Sequence, residues 1–211
     1  YQLQSGTSMA SPVAAGAAAI IKSHFPAYTG LQVGEKLRVT CDNIYGISGN
    51  AAYLNKLGKG RINMYRSLTE SSPSVRILDI ATTDNNDNAF VVGDTLRITG
   101  DITNYLDPTT NLTVTISATS PWVTIIDNST TVGVLGTMAA LNNNADPFQV
   151  KINPNTPLNT KVTFRFTMTD GAYTDVTNCM MLIGRPGQVG DGTTPTLSYT
   201  KADNTKVDVQ T

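Results

Sequence analysis

Ser8 is the residue whose surroundings most clearly suggest chemistry. It lies in the string Gly6-Thr7-Ser8-Met9-Ala10-Ser11-Pro12, immediately ahead of the small, apolar run Ala14-Ala15-Gly16-Ala17-Ala18-Ala19-Ile20-Ile21. A serine hydroxyl is a weak nucleophile until a neighbouring base takes its proton. A helix N-terminus supplies partial positive charge, which stabilises an oxyanion that develops beside it. A serine held at such a terminus therefore suits covalent acyl transfer. Most serines ahead of an apolar helix are plain N-caps, so the flanking residues have to decide.

They favour the nucleophile. Gly6 to Pro12 resembles the nucleophile motif of the subtilisin-like serine proteases (subtilases), G-T-S-M-A-x-P, at every specified position. The likeness continues through the Ala-rich helix, a second helix after Thr29 and Gly58-Lys59-Gly60-Arg61-Ile62-Asn63, covering roughly residues 1–68. The resemblance implies that Ser8 is the catalytic nucleophile and that its own backbone N–H is one oxyanion donor. It also implies that Gly6 and Thr7 shape the nucleophile turn, with Met9 and Ala10 packed beneath it. The histidine that often follows the motif's proline is replaced by Val13, expected to be an apolar residue on a buried helix. In this family the triad runs Asp, His, Ser along the chain, so the Asp, the His and the side-chain oxyanion Asn are expected upstream of Tyr1.

His24, the only histidine, stands 16 residues after Ser8. At about 1.5 Å of rise per residue that is roughly 24 Å along a helix, far beyond hydrogen-bond reach. It is expected as an exposed helix-end residue, favourable to the helix dipole when protonated. Cys41 and Cys179 are far apart and are expected as free thiols. Asp84-Asn85-Asn86-Asp87-Asn88 superficially resembles a calcium loop, but Ala89 stands where an EF-hand needs Gly and Thr95 where it needs Glu, so a solvated turn is the better reading. Asn111-Leu112-Thr113 and Asn128-Ser129-Thr130 fit the glycosylation sequon, a signal that matters only in a eukaryotic secretory route. Trp122, the single tryptophan, is expected to fill a core.

The elements around these residues follow from local patterns. The run from Ser8 to Ser23 is apolar on all sides, as for a helix enclosed by a larger body. Pro12 is placed in its first turn, where N–H groups have no intrahelical partner. Thr29 and Gln32 form a capping box for a helix to about Val39, and Asn63 is the N-cap of a helix carrying Met64, Tyr65 and Leu68. A short strand and tight turn are expected over 58–63. The polar run Thr69 to Ser74, with Pro73, is the linker candidate, residues 69–74.

Beyond it, apolar and Thr-rich runs of period two recur about every ten residues. They predict strands near 75–82, 94–103, 112–119, 122–127, 132–138, 147–153, 161–169 and 173–183. Residues 1–68 are thus expected as the C-terminal α/β remnant of a subtilisin-like parallel-sheet domain. Residues 75–184 are expected as an all-β antiparallel sandwich of the immunoglobulin or fibronectin kind, and 185–211 as a Gly/Thr/Pro-rich tail or the start of a further module.

Composition narrows the classes. Fifteen basic against sixteen acidic residues leave a net charge of −1 without a basic run, which argues against nucleic-acid binding. The longest apolar stretch is well short of the roughly 20 residues that a spanning helix needs. The chain opens at Tyr1 without a signal peptide and is expected to be a fragment of a secreted or cell-surface bacterial protein. The expected activity is serine-type endopeptidase action on a polypeptide substrate through an acyl-enzyme on Ser8, in a complete protein of which this chain is an incomplete, inactive part. No cofactor is identifiable, and any calcium would belong to the missing part. The alternative is a degenerate relative kept as a binding or adhesion module, and a cell-surface or carbohydrate contact through the sandwich fits either reading.

Overall fold

The computed structural model describes residues 6–54, 56–84, 89–184, 196–200 and 206–210. Its first part is helical. Helix α1 spans Thr7–His24, with Gly6 as N-cap at φ 144°, a backbone region that favours glycine. Pro12 is the sixth helical residue and not in the first turn, so it removes the N–H that would otherwise bond to the Ser8 carbonyl. The helix stops where Phe25 N–H closes on Ile21 O at 2.8 Å and Pro26 follows.

Helix α2, Gly30–Val39, starts on the expected capping box: Gln32 N–H donates to Thr29 Oγ1 at 3.3 Å, and Thr29 N–H donates to Gln32 Oε1 at 3.0 Å. Helix α3, Met64–Thr69, is capped by Asn63, whose Oδ1 accepts from Arg66 N–H at 3.1 Å. The buried hydroxyls of Thr40 and Ser67, 2.7 Å apart, tie the end of α2 to α3.

Among the described residues from 6 to 68 there is no strand. The expected strand over 58–63 is a single antiparallel bridge between Asp42 and Arg61, with N–H···O bonds of 2.8 and 3.0 Å. Gly60, at φ 123°, makes this bridge possible: a Cβ there would lie 1.9 Å from the Asp42 carbonyl oxygen. The α/β character expected of this segment therefore takes the form of helices and one bridge.

The second part is two antiparallel sheets. Strands β1 (Val75–Thr83), β2 (Thr95–Asn104), β7 (Phe148–Ile152) and β4 (Val123–Asp127) lie in that order in one, with β6 (Ala139–Asn142) also on β2. Strands β5 (Ser129–Gly133), β3 (Leu112–Ala118), β8 (Thr160–Asp170) and β9 (Tyr173–Ile183) form the other. Burial alternates along β2 and β8 as the period-two pattern predicts. Leu96, Ile98, Ile102 and Val150 from one sheet share a core with Val114, Phe164, Phe166 and Met168 from the other, and the Phe148 and Phe166 rings meet at 5.6 Å. Trp122, partly buried, packs against this core at the start of β4.

One expected strand, 132–138, is not formed. The chain leaves the second sheet at Gly133 and joins the first at Ala139, crossing through Met138 in a left-handed conformation (φ 58°), with Leu135 buried on the way. Residues of similar apolar texture thus belong to two sheets. In the segment expected as a tail, β10 (Thr196–Thr200) and β11 (Lys206–Gln210) pair antiparallel with one another. Asn85 to Asn88, most of the superficial calcium loop, lie outside the described residues.

Candidate active site

Gly6, Thr7 and Ser8 are exposed at the start of α1. Gly6 has open space around it, and its carbonyl accepts from Met9 N–H at 3.0 Å and Ala10 N–H at 3.3 Å. Ser8 is the second residue of the helix and not its N-cap, so its N–H belongs to the first turn and has no intrahelical acceptor. That leaves it available to an oxyanion, and the Pro12 substitution of N–H by a ring leaves the Ser8 carbonyl without its own helical donor. His24, the far terminus of α1, is exposed and sets its ring edge-on to Phe25 at 4.6 Å. It is not brought to Ser8.

The packing that the resemblance implies for Met9 and Ala10, and the burial expected of Val13, are not made within this chain: Met9 and Ala10 are exposed and Val13 is 64% exposed. Only Ala17 and Ile21 are buried, on the side where α1 meets α2 and α3. The all-round apolar pattern is real, but most of that surface faces no described residue.

Sequence reasoning missed a cluster of charges between the helices and the sheets. Asp175, at an inward position of β9 and 1% exposed, receives Arg38 Nη1 at 2.6 Å and Lys59 Nζ at 2.5 Å, and Tyr173 Oη donates to it at 3.2 Å. Val75 N–H donates to the same Tyr173 oxygen at 2.7 Å. Glu35, on α2, takes Arg38 Nη2 at 2.7 Å and Arg76 Nη2 at 2.8 Å, and the Ser74 hydroxyl at 2.6 Å. Burial pushes both carboxyls up, yet the Arg38 and Lys59 charges on Asp175, and the hydrogen bonds of Arg76, Ser74 and Arg38 on Glu35, outweigh it. Both are held below the usual carboxylate range. The signal in the sequence was a lone Asp on the face of a strand otherwise carrying Tyr173, Thr177, Cys179, Met181 and Ile183. The partners lie too far off in sequence to be named.

Further contacts join the two parts. Gln32 Nε2 donates to Tyr105 O at 3.2 Å, and Lys36 donates to the carbonyl of Glu70, in the connecting segment. Cys41 and Cys179 are both free, and burial pushes each thiol up, so neither is an activated nucleophile. Among the described residues no group of three His, Cys, Asp or Glu side chains is arranged to hold a metal, and no helix is long and apolar enough to cross a membrane.

Residues 1–90 match the family model of the subtilase family, a stretch that includes α1, α2, α3 and β1. The match makes this stretch, less than half of the chain, similar to the subtilases, a family of serine peptidases. No curated protein matches the sequence. Among solved structures, the crystal structure of a FixG-related protein from Vibrio parahaemolyticus is similar at 13% identity, covering 49% of this chain and 94% of that one at a TM-score of 0.34. A likeness of that size carries no argument.

Proposed function

We propose that this chain is the nucleophile-bearing C-terminal part of a subtilisin-like serine endopeptidase, followed by an immunoglobulin-like sandwich over residues 75–184. The observation that carries the reading is the family match over residues 1–90 together with Gly6-Thr7-Ser8-Met9-Ala10, which sets an exposed serine in the first turn of a helix. In the complete protein an upstream His takes the Ser8 proton as Oγ attacks the scissile carbonyl. The tetrahedral oxyanion is met by the Ser8 N–H and by the positive end of α1. Collapse breaks the C–N bond and expels the amine, which takes the proton from that His, and water then adds to the acyl carbon, breaking its bond to Ser8 Oγ and returning the proton to the serine.

Gly6 acts through its backbone, since φ 144° at the N-cap would strain any residue with a side chain although the space around it is open, and Thr7 follows as the first helical residue. The protein is secreted or held at a bacterial cell surface, and the sandwich is an accessory domain. The test is Ser8→Ala in the protein that includes the upstream segment. Turnover should fall by about 10⁶, the loss known for the equivalent serine of subtilisin, with folding unchanged because one exposed oxygen is removed. Near-native turnover in that variant would show that Ser8 is not the nucleophile.

A further inference from the structure

A cleft of about 500 Å³ opens where the two parts meet, lined by Arg38, Asn43, Tyr45, Gly58, Lys59, Arg76, Val176 and Asn178. Its size falls within the range of small-ligand pockets, and a boundary between two packed units is a common place for one. The cleft is built on the charge cluster. Arg38, Lys59 and Arg76 supply three positive charges against the two negative charges of Glu35 and Asp175, leaving an excess of one.

The two carboxylates occupy the inner positions, with side chains 13% and 1% exposed, while Lys59 and Arg76 reach outward, at 31% and 37%. Lys59 has three N–H donors and gives one to Asp175. Arg76 gives Nε and Nη2 to Glu35, which leaves Nη1 for another acceptor. Asn43 and Asn178 add amides from the α2–α3 connection and from β9 respectively.

We propose that this cleft binds a single carboxylate-bearing ligand, held by Lys59 and Arg76 with Asn178 beside them, so that ligand binding is coupled to the docking of the β-sheets on the helices. The excess of one positive charge suits a monoanion, and planar guanidinium and ammonium groups already hold two carboxylates here. Because the walls come from α2, the 43–59 connection, β1 and β9, the site exists only while the two parts are docked, and a bound ligand favours that arrangement by mass action. The proposal does not depend on the peptidase reading.

The experiment is a titration of the 211-residue chain, followed by amide and side-chain NMR shifts. The probes are butyrate, an acetylated tripeptide with a free C-terminal carboxylate as its only charge, and the same peptide amidated. Saturable shifts at Lys59, Arg76 and Asn178 are expected with butyrate and the free-carboxylate peptide, and none with the amidated peptide. The tighter of the two binders tells whether the natural source is a small acid or a chain end.

Lys59→Gln should weaken binding about tenfold, as should Asn178→Leu to a lesser degree, whereas Lys161→Gln on β8 should leave it unchanged. Asn178 is exposed, so its variant keeps the test open should Lys59→Gln disturb the docking. Absence of saturable shifts in the wild-type chain, equal binding of the amidated peptide, or unchanged affinity in the folded Lys59 and Asn178 variants would each overturn the proposal.

Discussion

Ser8 would be an ordinary hydroxyl in this chain alone, because the single imidazole, His24, is at the opposite end of α1. A fluorophosphonate probe should therefore leave the isolated 211-residue chain unlabelled, as read by intact mass, since the probe needs an activated nucleophile. Stoichiometric labelling there would mean that some group other than His24 activates the serine. Gly60 offers a structural counterpart. With φ at 123° and the Asp42 carbonyl where a Cβ would go, Gly60→Ala must break the Asp42–Arg61 bridge, and a loss of about 2 kcal/mol or more is expected in urea unfolding. An unchanged midpoint would show that the bridge does not support the fold. The helix start at Gly6 and Thr7 was legible because a helix N-terminus is a local arrangement of neighbours. The left-handed need of Gly60 was not legible, since it arises from a carbonyl 18 residues earlier in the chain.

Among the elements, the capping box on α2 and the Asn63 cap on α3 were readable for the same local reason, and so was the alternation of β2 and β8. The crossing between β5 and β6 was not, because which sheet a short Thr- and Val-rich run joins is decided by Leu135 entering the core and not by the run's own pattern. The ion cluster was hidden too: Arg76 lies 41 residues from Glu35, and Tyr173 lies 98 from Val75. Its energetics are testable. Asp175→Asn leaves Arg38 and Lys59 facing a neutral amide in a largely buried place, so the docking of α2 should weaken by about 3 kcal/mol. Faster amide exchange in α2 with little change in β8 is the readout; unchanged α2 exchange would show that the cluster does not hold the helices. The pH dependence follows from the same carboxyls. Both titrate below their ordinary value in the folded protein, so their contribution is present in full above about pH 5 and is lost as pH falls through their folded values. Wild-type α2 exchange should therefore quicken below about pH 4, after correction for the intrinsic rate, and the Asp175→Asn profile should be flatter. Equal slopes would place the pH dependence elsewhere.

At the scale of the whole molecule the two parts differ in how their apolar surface is covered. Residues 75–184 enclose one core between two sheets, while α1 leaves Val13 and Ile20 largely exposed and buries only Ala17 and Ile21. Amide exchange of the monomeric chain should accordingly be slow in β2, β3, β7 and β8, intermediate in α2, and fast in α1. Uniform protection would mean that α1 is stable without further covering. The exposed face of α1 and the exposed serine in its first turn fit the proposed account, in which upstream sequence covers the helix and brings the base to Ser8. The most direct measurement is on that longer protein: fluorophosphonate labelling, proteolytic digestion and mass spectrometry of the modified peptide. The account predicts one label per active molecule, on Ser8, blocked by Ser8→Ala. A label on another serine, or full peptidase activity with Ser8 unmodified, would contradict it.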